Sequence, residues 1–144
     1  MNRKAIAWLA ATLLGASALA SSASLGADWR AEHDAGWSAF KEGRLDEAER
    51  RLRAAEAEAR AFGESDPRLA TARDHLAWVL CSVGEGGEAE RLAKSALAIR
   101  EKASGADHAD VEKSVNTLAC VYDMQGKLDE ARPYYERSLS LAEK

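Results

Sequence analysis

The feature that most constrains this chain is a small block of residues that returns at a nearly fixed interval. Gly43, Glu47 and Ala48 recur as Gly84, Glu88 and Ala89, and again as Gly126, Glu130 and Ala131, at spacings of 41 and 42 residues. A period in this range marks a solenoid, in which each unit buries its apolar face only by stacking on its neighbours. A helical pattern runs up to each glycine and another runs on from it, so each unit reads as a helix, a tight turn and an antiparallel helix. Val115, Leu118, Ala119 and Tyr122 recur at i, i+3, i+4 and i+7, the spacing of one helix face. On the second helix of that unit Leu128, Ala131, Tyr135, Ser138 and Leu139 are expected to pack against the first. Two prolines and 6% aromatics, with long stretches of Ala, Leu, Glu, Arg and Lys, favour helix over strand. The expected fold class is all-α, with units at residues 28–66, 67–108 and 109–144.

Residues 1–20 stand apart. Arg3 and Lys4 precede an uncharged apolar run over residues 5–14, and Ala18 and Ala20 supply the small-residue pattern that a signal peptidase reads. The 16 residues of 5–20 fall short of the roughly 20 that a spanning helix needs, which favours a cleaved export signal over a retained anchor. Cleavage is expected after Ala20, with Ala27 as a later alternative, and delivery to the periplasm or the medium. No later segment forms a basic amphipathic helix for a membrane surface, and no membrane insertion of the mature chain is expected. Without Arg3 and Lys4 the 20 basic residues fall to 18 against 24 acidic ones, a formal charge of −6. That balance argues against nucleic acid, whose binding needs a basic patch.

The chain resembles the tetratricopeptide-repeat family through Leu118, Ala119 and Tyr122 followed by Ala131 and Tyr135, with Gly126 at the turn. Leu76, Ala77, Leu80 and Ala89 fit the second unit, where Ala93 replaces the usual aromatic; Gly36, Gly43, Ala48 and Leu52 fit the first, where Ala39 stands in place of Tyr. More narrowly, Ala98 to Lys102, the loop carrying Gly105, Asp107, His108 and Asp110, and the run Val115, Asn116, Thr117, Leu118, Ala119 resemble the long repeat of kinesin light chains and their bacterial relatives. Pro133 also matches that subtype, whereas Ala109 replaces its usual proline. The resemblance implies a right-handed superhelix and a non-catalytic adaptor or scaffold that binds a protein or peptide in its concave groove.

Carried over by register, the groove positions are Arg30, His33, Trp37, Phe40 and Lys41 in the first unit, and Asp74, Trp78, Cys81 and Ser82 in the second. The third unit gives Lys113, Asn116, Cys120, Asp123 and Met124. Trp37, Phe40 and Trp78 are either aromatic anchors for a ligand or, for Trp37 and Phe40, a closure of the N-terminal end. The Asn116 carboxamide offers both donor and acceptor to a peptide backbone, or bonds within its own helix.

Cys81 and Cys120 could join neighbouring helices as a disulfide in an oxidising compartment; ordinary packing is the simpler reading. With His33 they lack any metal-ligand spacing, so no metal and no cofactor are expected. His75 and His108 read as structural or solvated. No nucleophile elbow, phosphate loop or paired carboxylate site emerges, and the expectation is that the chain is not an enzyme. Self-association through the C-terminal helix, with Leu139 and Leu141, is a second reading, and a cysteine-dependent redox or metal-binding protein a third. Pro133 is expected in the first turn of its helix, capped by Asp129, where its missing N–H costs little.

Overall fold

A computed structural model describes residues 28–143. They form α1 (28–41), α2 (Leu45–Arg60), α3 (Pro67–Ser82), α4 (Gly86–Ser104), α5 (Ala109–Met124) and α6 (Leu128–Ala142). The export signal expected over residues 1–20, with its cleavage site, lies outside the described residues. No strand occurs among the described residues, and the fold is an all-α tetratricopeptide-like solenoid of three helical hairpins.

The tight turns inside the hairpins fall at Gly43, Gly84 and Gly126, whose φ values of 78°, 90° and 74° lie where an L side chain is strained. The longer loops between hairpins end in side-chain caps. Asp66 accepts from the Arg68 N–H at 2.9 Å, with Pro67 opening α3, and His108 Nδ1 accepts from the Asp110 N–H at 3.1 Å to start α5. His108 is therefore a cap.

Helices approach closely where side chains are short. Ala39, Ala48, Ala77, Ala89 and Ala119 are fully buried, and Ala131 nearly so. At Gly36 an added Cβ would sit 2.8 Å from Leu52 Cγ, so the α1–α2 crossing tolerates no side chain there without a shift. Around these contacts Leu52, Leu80, Val115, Leu118 and Val121 build the main core, and a second cluster of Trp29, Ala55, Leu69 and Ala96 sits towards the other end of the hairpins. α3 packs on α2, α4 and α5, and α5 on α4 and α6, the contact pattern of stacked hairpins.

Two expectations are corrected. The buried stripe of α6 is Ala131, Ser138 and Leu141, with Tyr134 packed beside them, whereas Leu128, Tyr135 and Leu139 are exposed. They lie on the flank of α6, about a quarter turn from the face that meets α5, because 100° per residue separates the two sets. Pro133, moreover, lies inside α6, which begins at Leu128 with Lys127 as its N-cap residue. It denies an amide partner to the Asp129 carbonyl, and the exposure of both residues leaves that carbonyl open to water.

Candidate functional site: a cleft across three helices

One cleft of about 430 Å³ runs across the first helices of the three hairpins. Trp37 enters it from α1; Thr71, Asp74, His75 and Trp78 from α3; and Glu112, Lys113, Asn116 and Thr117 from α5. Residues three and four apart share a helix stripe, which is why each helix presents its set to one side. Arg100 reaches the floor from α4.

The α1–α3 wall is aromatic. The Trp37 indole lies flat on the His75 imidazole, with centroids 3.9 Å apart and planes 11° apart, and Phe40 stacks behind Trp37 at 5.2 Å. His75 is held by a second ring from α1, its Nδ1 lying 2.8 Å from His33 Nε2, while His33 Nδ1 lies 3.0 Å from Asp34 Oδ1. The neutral tautomers that satisfy both bonds have His33 donating from Nδ1 to Asp34 and accepting at Nε2 from the His75 Nδ1–H. Burial, with the nearby His33 and Arg100, pushes the His75 pKa down to about 4. At neutral pH it is an uncharged aromatic shelf under Trp37.

Beneath the shelf lies a buried ionic knot. Arg100 donates from Nε to Ser114 Oγ at 2.9 Å, and from Nη2 to Thr71 Oγ1 at 3.0 Å and Asp74 Oδ2 at 3.3 Å; the Ser114 hydroxyl donates to Asp74 Oδ2 at 2.7 Å. Three helices are thereby joined through one carboxylate oxygen. The other oxygen, Asp74 Oδ1, is buried and has no hydrogen-bond partner among the described residues. Burial outweighs the hydrogen bond from Ser114 and the Arg100 charge and raises the Asp74 pKa to about 6.

The α5 side is polar and open. Lys113 is exposed and its ammonium makes no ion pair among the described residues. Among the described residues the Asn116 side chain meets only a long contact, 4.0 Å from Cys120 Sγ. Glu112 accepts from the Ser138 hydroxyl at 2.7 Å. A flat aromatic wall thus faces the uncommitted side chains of Lys113 and Asn116 across a space large enough for a few residues of extended chain.

Of the residues carried over from the repeat register, Trp37, Asp74, Trp78, Lys113 and Asn116 line the cleft. Arg30, Lys41, Ser82 and Met124 are exposed away from it, His33 and Phe40 support its wall from behind, and Asp123 accepts from the Tyr135 hydroxyl at 3.1 Å. Cys81 and Cys120 are both free thiols: Cys81 Sγ lies 3.9 Å from the Val121 carbonyl, and burial pushes its pKa up. No group of three or more His, Cys, Asp or Glu among the described residues could hold a metal ion. No helix among them is long and apolar enough to cross a membrane. Sequence reasoning missed His75, Thr71 and Arg100. His75 directly follows a groove position but is brought to the cleft by its stack on Trp37 of the neighbouring hairpin, and Arg100 arrives from a second helix, which the groove register does not cover.

The sequence model of the family described as tetratricopeptide repeat matches residues 30–102 and 79–144. No curated protein matches the chain. Among solved structures, the TPR domain of Arabidopsis FLU superposes with a TM-score of 0.71 at 19% identity, covering 83% of this chain and 98% of that one. A kinesin-light-chain-like protein of Podosopora anserina, with nearly identical TPR-like repeats, gives 0.67 at 23% identity over 79% of this chain and 55% of that one. A singly substituted form of it gives 0.68 at 23% identity, over 78% and 54%. The present chain therefore spans about half of those kinesin-light-chain structures, and the likeness is one of fold. With its helical hairpins, glycine turns and matched repeats, the chain belongs to the tetratricopeptide-repeat family.

Proposed function

We propose that this domain is a non-catalytic adaptor that holds an extended segment of a partner protein in the cleft of α1, α3 and α5. The observation that carries the reading is the pairing of a preformed aromatic wall, Trp37 on His75 with Trp78 beside it, with the uncommitted Asn116 and Lys113 opposite. An apolar side chain of the segment packs on the wall, and Asn116 meets its backbone with donor and acceptor together. Because the wall is stacked before any ligand arrives, little ordering entropy opposes binding. On the basis of the basic start and apolar run of residues 1–20, the adaptor works outside the cytoplasm and its partner is an exported protein.

Affinity capture from the exported fraction of the source cell, with the wild type beside a Trp78→Ala, Asn116→Ala double variant, tests this reading. A partner retained by the wild type and lost by an equally folded variant supports the cleft. Equal retention by both rules it out as the binding site.

A further inference from the structure

The repeat register identifies a face of α6 whose counterparts in the other two hairpins are covered. Four residues after the small Ala48, Ala89 and Ala131 stand Leu52, Ala93 and Tyr135; eight residues after stand Glu56, Leu97 and Leu139. Leu52 and Ala93 are fully buried, and Glu56 and Leu97 are 7% exposed. α3 lies over α2, where Arg73 donates to Glu56, and α5 lies over α4, where the Gln125 amide donates to the Gly86 carbonyl. On α6 no described helix takes that place, and Tyr135 is 38% and Leu139 62% exposed. Leu128, also exposed, extends the stripe, and the Tyr135 hydroxyl is tied to Asp123 of α5, which holds the ring in position on that face.

The stripe is self-complementary. Leu128, Arg132, Tyr135 and Leu139 are spaced by four, three and four residues, the seam of a helix that pairs with another helix. Turned about a two-fold axis between Arg132 and Tyr135, α6 brings each Leu128 onto Leu139 of the second copy and each Arg132 onto Tyr135. The same rotation sets Arg132 beside Glu136 of the second copy. Arg132 is spare for that role, since its own ion pair to Asp129 is long, at 3.7 Å, between highly exposed groups. A cation on a tyrosine ring and beside a carboxylate is favourable at both symmetric positions. We propose that this face is an interface with a second copy of this chain, in which the two α6 helices pair antiparallel about a two-fold axis.

The seam spans four layers of a 15-residue helix, so the dimer is weak and concentration-dependent. Sedimentation velocity of the mature domain from about 10 µM to about 1 mM tests it directly. The expected result is a monomer that passes into a single dimer species. Leu139→Ser should weaken the dimer by about tenfold or more while leaving the helical circular dichroism unchanged, because Leu139 is outside the core. R132E alone and E136R alone should each weaken it by placing like charges together, and the R132E/E136R double variant should recover most of the loss. A monomer throughout overturns the proposal, as does a dimer insensitive to Leu139→Ser or a double variant no better than the single ones. Open-ended growth in size would indicate a head-to-tail contact and would also overturn it.

Discussion

His33 Nε2 and His75 Nδ1 lie 2.8 Å apart, and this bond joins the first hairpin to the second directly behind the aromatic wall of the cleft. The ring that Trp37 rests on is therefore fixed by a partner from the same helix as Trp37 itself. Directly next in sequence to His75, Asp74 is buried with one oxygen in the Arg100 knot. Two adjacent residues of α3 thus tie it to three other helices, α1, α4 and α5, and both titrate away from their ordinary ranges.

Their pH dependences oppose each other. His75 is held near pKa 4 against an ordinary 6.5, so the stability tied to its neutral form is present above pH 6.5 and is lost as the pH falls towards 4. Asp74 is raised to about 6 from 3.8, so its contribution is fully present below pH 3.8 and is lost as the pH rises through 6. Between pH 7 and pH 4 the two act in opposite directions. Asp74→Asn should unmask the histidine, giving a loss of about 3 kcal/mol over that interval, and His75→Gln should reverse the slope. Urea unfolding at pH 7, 5.5 and 4 reads both; parallel profiles for the wild type and the two variants would contradict the burial of this pair.

Removing the cation from the knot leaves the Asp74 charge uncompensated. Arg100→Ala should cost about 3–5 kcal/mol at pH 8, and visibly less at pH 5, where Asp74 can take up a proton. Denaturation midpoints at the two pH values check the difference. An equal cost at both would show that Asp74 is not the group left stranded.

Close helix crossings at small residues should resist enlargement. Ala89→Leu or Ala131→Leu should cost about 1–3 kcal/mol through overpacking, and Gly36→Ala should also destabilise, since its Cβ would press on Leu52. Thermal unfolding measures each. Unchanged melting temperatures would contradict the hairpin register.

Cys81 and Cys120 are half-buried and unbridged, so reagent titration of the purified native protein should find two thiols, with Cys81 slow because burial disfavours its thiolate. Recovery of none would show that the pair oxidises to a disulfide.

Much of the scaffold was legible because repetition writes the same physical demand several times. Gly43, Gly84 and Gly126 signal one turn, and Ala48, Ala89 and Ala131 one close crossing, so each supports the others. The cleft was legible where it follows the helix stripe, at Trp37, Asp74, Trp78, Lys113 and Asn116. It was not legible at His75 or Arg100, because the stack of Trp37 on His75 and the reach of Arg100 from α4 depend on how neighbouring hairpins are juxtaposed. The α6 stripe was misread for a related reason. Leu128, Tyr135 and Leu139 follow helical spacing as well as Ala131 and Ser138 do, and spacing alone does not say which of two adjacent stripes meets α5.

The claim that the cleft holds an extended peptide is tested most directly by selecting a binding peptide from a displayed library on the mature domain and titrating it calorimetrically against wild type and Asn116→Ala. The dissociation constant should rise by about tenfold or more, the loss expected when backbone hydrogen bonds are removed, with no change in melting temperature. An unchanged dissociation constant in a folded Asn116→Ala variant would contradict the cleft as the binding site.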